Sequence, residues 1–383
     1  TYRWVMLAGI WLAYLSFGIV LGGIAPLLGP ITNEIGFNRS EMGTILGAWP
    51  LVYIIVAIPA GALIDRYDLK FTIATGIGVI ALSGFLRAAA FDYPTMLMAV
   101  MVFGLGGPFI STGAPKLIST WFGESERGKA MGIYLTAPAL GRILVLTTAN
   151  GILMPLLNYS WRWTLSVFAT VAFVTSLVWL IVAKGEPRES SGPESKNLIG
   201  ILKIFPELLG SGLIRLSLLI IFGMFLFNHG VNNWLPEILA DKGMSDSKAG
   251  LFSAIPVAMG AIGSVLLPQI AVPHRRIPIL VIGFAVTALA SLVLATSEGN
   301  FLWVALILLG FSTRGLMPVI MLTLIDSVGR EKAGATGGLY FTVGEVGGVM
   351  GPIFLGVSSD LIGGFTAGII ILSAMGVVLG FLS

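Results

Sequence analysis

The sequence contains no cysteine and only two histidines, His229 and His274. The first absence excludes disulfides, thiolate nucleophiles and iron–sulfur ligation, and the second leaves almost nothing from which to build a metal centre. Charge is scarce too: 11% of the 383 residues are Asp, Glu, Lys or Arg, against about 25% in soluble domains. No Gly-x-x-x-x-Gly-Lys-Ser/Thr string occurs, so the chain offers no phosphate-binding loop for ATP. The run GLGGPF from Gly104 sits inside an apolar stretch with no strand before it, which removes it as a dinucleotide loop. No catalytic residue, cofactor or metal ligand is therefore expected.

What the chain has is apolar length. It is 56% hydrophobic with a mean hydropathy of +0.94, outside the range of soluble domains. An integral, all-α membrane protein is expected. A crossing helix needs about 20 apolar residues. The chain divides into twelve such spans, near 4–31, 41–64, 71–91, 95–119, 129–156, 162–183, 212–240, 248–271, 277–297, 301–325, 334–358 and 363–383. The first apolar run, from Trp4, is too long for the core of a cleaved leader. The Pro/Gly/Ser-rich segment KGEPRESSGPESKN, from Lys184, separates two sets of six. Expected domains are thus 1–183, a cytoplasmic linker 184–210, and 211–383. With the amino terminus inside, thirteen basic residues fall in inner loops and four in outer ones, Arg39, Arg162, Lys242 and Lys248. That asymmetry places both termini in the cytoplasm, and the net charge of +3 reflects loop placement rather than a nucleic-acid partner.

The two sets of six look like one design written twice. TAPALGR, from Thr136, returns as TVGEVGG, from Thr342, and the preceding Gly132-Ile-Tyr134 returns as Gly338-Leu-Tyr340, all at an offset of 206. Gly36, Ser40 and Gly43 return as Gly243, Ser247 and Gly250 at an offset of 207. Repetition at half the chain length in so apolar a protein marks a carrier built from two related bundles. Two differences between the copies stand out: Ala139 becomes Glu345, and Arg142 becomes Gly348.

The turn after the second span reads GALIDRYDLK, with Gly61, Asp65, Arg66 and Lys70. It resembles the inner-loop signature of the major facilitator superfamily, although Asp68 stands where that signature has its later glycine. The equivalent second-half turn, PQIAVPHRRI, keeps Arg275 and Arg276 without an aspartate. TAPALGR resembles the family's fifth-span motif, reduced here to Pro138 and Gly141. Within the family, WLPEIL from Trp234 and PKLISTWFGESERGKA from Pro115 look like bacterial small-anion carriers of the cyanate or nitrate type, and more distantly like monocarboxylate carriers. The resemblance implies two pseudo-symmetric six-helix bundles that rock about a cavity lined by the first, fourth, seventh and tenth spans. It also implies a gating role for Gly61, Asp65 and Arg66, and a bacterial inner-membrane location. The fourth span has Val102 and Phe103 where the family's proton-driven drug exporters carry an arginine, and the first span has no acid, only Tyr14 and Ser16. Both features speak against a multidrug or cation antiporter.

Ionisable groups deep in a span cost several kcal/mol unless they face a cavity or a partner. Arg142 lies about 13 residues into the fifth span, roughly 20 Å from its inner end. Arg314 is equally central in the tenth, and Glu345 is the acid at comparable depth in the eleventh. Lys116, Arg87 and Arg215 are expected to reach an interface. Two deep arginines against one carboxylate leave positive charge that an anionic solute would neutralise, and guanidinium grips carboxylates with two prongs. The structural alternative pairs Glu345 with one arginine and ties the other to backbone carbonyls. Arg142 is a solute ligand, a wedge that favours one conformation, or a substitution that traps a state. Glu345 is a proton-coupling candidate or a static ion-pair partner. His229, beside Asn228, Asn232 and Asn233, offers donors to a polar solute or serves as a structural histidine. Candidate solute-binding residues are therefore Arg314, Arg142, His229, Asn228, Asn232 and Tyr14. The expected function is secondary active transport of a small anionic solute by alternating access, coupled to protons or by anion exchange. A carrier of a neutral or zwitterionic solute, or a facilitative uniporter, is the alternative. Its expected partners are that solute, protons and the bilayer, with the protein monomeric. A membrane enzyme lacks a catalytic cluster, and a non-transporting sensor lacks a signalling segment.

Overall fold

A computed structural model describes residues 2–185, 205–297, 299, 301–328 and 332–382. Most of the expected linker, residues 186–204, and Arg330 lie outside them. Among the described residues, twelve helices are long and apolar enough to cross a membrane. They are α1 (Tyr2–Ile35), α2 (Arg39–Arg66), α3 (Leu69–Ala89), α4 (Tyr93–Trp121), α5 (Glu124–Leu156), α6 (Trp161–Val182), α7 (Gly212–Asp241), α8 (Asp246–Ile270), α9 (Pro273–Thr296), α10 (Phe301–Val328), α11 (Ala335–Ile362) and α12 (Phe365–Leu382). Large apolar side chains stand on their outer faces, with Leu156, Ile181 and Phe381 more than 70% exposed. Such faces suit lipid rather than water.

Polar residues set where the helices start. Asn38 accepts from the Glu41 backbone N–H at 2.7 Å while the Glu41 carboxylate accepts from the Asn38 N–H at 3.0 Å, a reciprocal cap that starts α2. Asp92 and Thr95 do the same for α4. Those hydrogen bonds from the Thr95 hydroxyl and backbone N–H hold the Asp92 carboxyl below the usual carboxylate range.

The first span departs from the continuous helix expected over 4–31. It is helical to Gly22, breaks, makes one 3-10 turn at Ala25–Leu27 and resumes as Leu28–Ile35. Gly22 and Gly23 weaken the helix there, and Pro26 has no N–H to continue it. Two side chains satisfy carbonyls freed by the break. Arg87 Nη1 donates to Val20 O at 2.9 Å, and Asn150 Nδ2 donates to Pro26 O at 2.7 Å. Asn150 itself lies in a single π-helical turn, Ala149–Leu153, near the C-terminal end of α5.

The chain divides into two compact units. The first comprises Thr1–Pro187 with Asn233–Ala254, and the second Arg188–Asn232 with Ile255–Ser383. In the first unit α3 packs on α4 and α6, α2 on α4, and α1 on α5 and α6. In the second, α9 packs on α10 and α12, and α11 on α12.

The sequence repeat is repeated in the packing inside each unit. Gly36 and Gly243 both adopt φ +85°, a left-handed conformation that favours glycine. A β-carbon at Gly141 would collide with the backbone of α1 at Leu15 and Ile19. One at Gly347 would collide with α7 at Phe222 and Leu226, the counterparts of Leu15 and Ile19 at the 207 offset. Likewise Gly104 lies against the Trp49 carbonyl and Gly310 against that of Pro256. The α1–α5 and α2–α4 crossings of the first unit thus recur as α7–α11 and α8–α10, where small residues let backbones approach.

Candidate functional site

In the first unit the break in α1 positions Arg142. Its Cγ would lie 3.1 Å from a β-carbon at Gly22, so the arginine stem rests on the last residue of the first helical segment of α1. Its Nη2 donates to Asn233 Oδ1 at 3.3 Å. One helical turn or two toward the N-terminal end of α1 lies an aromatic group that spacing along the chain does not reveal. The Tyr14 ring sits 5.3 Å from that of Tyr134 and 5.7 Å from that of Phe17. Nearby, the hydroxyls of Tyr53 and Ser111 are 2.5 Å apart, and Trp11 Nε1 donates to the Thr136 hydroxyl at 3.0 Å. Tyr14 was legible as a polar group in the first span. Tyr53 and Ser111 carried no signal, because their meeting depends on the α2–α4 crossing.

Asp65 and Arg66 are exposed at the C-terminal end of α2, and Gly61 faces open space where a β-carbon would stand. Lys116 donates to Ile64 O at 2.8 Å and to Asp65 Oδ1 at 3.2 Å, so its ammonium is held at that helix end. Arg87 contradicts the expectation that it reaches an interface. It is 1% exposed, with its guanidinium carbon 5.2 Å from the centre of the Phe103 ring. The carbonyl released by the broken α1 and the ring face give it an interior place.

In the second unit Arg314 is the fourteenth of the 28 residues of α10 and is partly buried. Among the described residues its side chain makes no hydrogen bond or ion pair. Its stem lies against Gly260 of α8, where a β-carbon would stand 2.7 Å from Cδ and 3.1 Å from Cβ and Cγ. His229 and Glu345 come together across the α7–α11 crossing, with Nε2 3.9 Å from Oε2. The His229 ring stacks on Phe225 with centroids 5.8 Å apart. Glu345 Oε2 is sealed from solvent and, among the described residues, lacks a hydrogen-bond partner. No ion pair joins Glu345 to Arg314 among the described residues of this unit, which removes that version of the structural alternative. Asn228 is buried with its amide nitrogen unpartnered among the described residues, while Asn232 Nδ2 donates to Asn228 O at 2.8 Å along its own helix. Asn232 is thereby partly occupied by backbone.

The profile of the Major Facilitator Superfamily matches residues 10–352. A hexuronate transporter of Bacillus subtilis (strain 168) is 21% identical, covering 91% of this chain and 86% of its own. A D-galactonate transporter of Escherichia coli O6:H1 is 23% identical over 98% and 93% of the two chains. A glycerol-3-phosphate transporter of Bacillus subtilis (strain 168) is 25% identical over 89% and 82%. Among solved structures, a bacterial homologue of the human lysosomal transporter Spinster, inward-facing and occupied, superposes with a TM-score of 0.83 at 16% identity, covering 100% of this chain and 96% of that one. At this identity the superposition speaks to the fold alone. The break in α1, the repeated crossings, the twelve apolar helices and the family match converge: the chain is an integral membrane transporter, not an enzyme, and belongs to the Major Facilitator Superfamily.

Proposed function

We propose that this transporter carries a small, hydroxylated organic anion by secondary, alternating-access transport. The observation that carries the reading is Arg314, a guanidinium at the middle of a 28-residue apolar helix with no protein partner among the described residues. A mid-span cation left without a carboxylate is expensive, and a bound carboxylate or phosphate would compensate it with charge-assisted hydrogen bonds. The curated relatives support the choice of anion, since hexuronate, galactonate and glycerol 3-phosphate all combine an acidic group with hydroxyls. Arg142 supplies a second cationic contact. Tyr14 and its aromatic neighbours, with Asn228, Asn232 and His229, serve the hydroxyl-bearing part. Glu345 carries the coupling proton beside His229, and Gly61, Asp65 and Arg66 take part in gating at the inner end of α2. Two six-helix bundles, 1–183 and 211–383, joined through 184–210, form the moving bodies of a monomer in a bacterial inner membrane with both termini in the cytoplasm.

The test is uptake into proteoliposomes of labelled glucuronate, galactarate, galactonate and glycerol 3-phosphate, with Arg314→Ala beside the natural protein. A group hydrogen-bonded to a charge contributes about 1.5–3 kcal/mol, so KM is expected to rise roughly 10- to 100-fold for the transported anion. Uptake of every anion that is indifferent to Arg314→Ala would overturn the reading.

A further inference from the structure

Gly260 differs from its neighbours on α8 and α10 in what occupies its missing side chain. At Gly263 and Gly310 a β-carbon would strike facing backbone, Phe311 and Pro256 respectively. At Gly260 the three nearest atoms are Cδ, Cβ and Cγ of Arg314. The first pair are crossing glycines, required for two helices to touch. Gly260 instead makes room for one side chain.

The first unit shows what the same position holds without an arginine to accommodate. At the offsets that relate the two α2–α4 and α8–α10 crossings, Gly260 corresponds to Tyr53 and Arg314 to Pro108. In the first unit the tyrosine fills the space, its ring 3.1 Å from where a β-carbon of Gly107 would stand and its hydroxyl bonded to Ser111. In the second unit the bulk comes from the opposite helix. The α1–α5 and α7–α11 crossings show the same exchange: Gly22 against Arg142 becomes His229 against Gly348. A β-carbon at Gly22 would lie 3.1 Å from Arg142 Cγ, and one at Gly348 would lie 3.0 Å from His229 Nδ1. Each of the three basic side chains singled out at depth therefore lies on a glycine of the facing helix.

We infer that Gly260 is a positioning and specificity-determining residue for the transported anion: the absence of a side chain there fixes where the Arg314 guanidinium stands, with Gly22 serving Arg142 in the same way. This rests on Arg314 being a solute ligand. The closest atom, Cδ at 2.7 Å, belongs to the arginine stem, with Cγ and Cβ behind it at 3.1 Å and no backbone atom among the three, so an added methyl group acts first on the arginine side chain. Charge is retained while geometry is lost. Guanidinium recognition of an acid is bidentate and directional, so a shifted fork loses ground-state and transition-state contacts together, which appears in KM rather than in the maximal rate.

The experiment compares Gly260→Ala, Arg314→Ala and Gly283→Ala in proteoliposome uptake of the anion that the natural protein accepts among glucuronate, galactarate, galactonate and glycerol 3-phosphate. Gly283 is the control, since the three atoms nearest a β-carbon there all belong to the Leu316 side chain and none to Arg314. The expected result is a KM raised about tenfold by Gly260→Ala with the maximal rate within about twofold, and an unchanged KM for Gly283→Ala. Gly22→Ala, measured in the same way, provides the second variant if Gly260→Ala does not accumulate in the membrane, and is expected to raise KM likewise. If Arg314→Ala raises KM while Gly260→Ala does not, or if Gly283→Ala raises it equally, the positioning role is overturned and the anion reading stands. If Arg314→Ala leaves KM unchanged, the anion reading falls, and the positioning role falls with it.

Discussion

Glu345 Oε2 stands 3.9 Å from His229 Nε2, across a crossing where Gly348 leaves room for both groups: a β-carbon there would lie 2.9 Å from Oε2 and 3.0 Å from His229 Nδ1. A carboxyl without a hydrogen bond among the described residues and an imidazole nearby form a pair that can hold one proton in more than one way. Glu345→Gln is expected to abolish accumulation driven by an imposed pH gradient while leaving solute exchange intact. Exchange measured by counterflow and accumulation measured under a gradient, on the same vesicles, separate the two. Loss of both together would instead point to a structural ion pair.

The arginine that leans on Gly22 has a different partner. Arg142 Nη2 donates to Asn233 at 3.3 Å, a long bond of modest strength. Asn233→Ala is expected to raise KM no more than about fivefold, and Arg142→Ala by tenfold or so. If Arg142 acts as a wedge, the maximal rate changes and KM holds.

Glycines at crossings and glycines facing open space are expected to respond in opposite directions. Gly141→Ala and Gly347→Ala put a methyl group into the backbone of α1 and of α7, and overpacking of this kind destabilises by about 1–3 kcal/mol. Gly61→Ala meets nothing within 4 Å and is expected to stabilise its helix by roughly 0.5–1 kcal/mol. Thermal unfolding of the purified proteins in one detergent ranks them. Gly61→Ala also isolates any gating role of that glycine, since its stability is not reduced.

The cap of α4 gives a pH dependence at the membrane edge. Thr95 holds the Asp92 carboxyl below the usual carboxylate range in the folded protein. A depressed folded pKa contributes stability above the unfolded value, near pH 4, and that contribution is lost as pH falls through the folded value. Unfolding temperature is therefore expected to drop in acid by a component that Asp92→Ala and Thr95→Ala both remove. The measurement is the difference between each variant and the natural protein at pH 7 and at about pH 3.

Membrane residence, the number of spans and the twofold repeat could be read from the chain without coordinates. Each rests on composition and periodicity over 20 or more residues, where many side chains vote together and no single contact matters. The centrality of Arg142, Arg314 and Glu345 was legible for the same reason, since depth in a helix is arithmetic on position. Side-chain partners were not legible. The pairing of Glu345 with His229, the seat of Arg314 on Gly260, the meeting of Tyr53 with Ser111 and the burial of Arg87 all join residues of different helices. Which faces of two helices meet depends on their rotation and crossing point. Those are set by glycines whose role appears only when a second backbone lies against them.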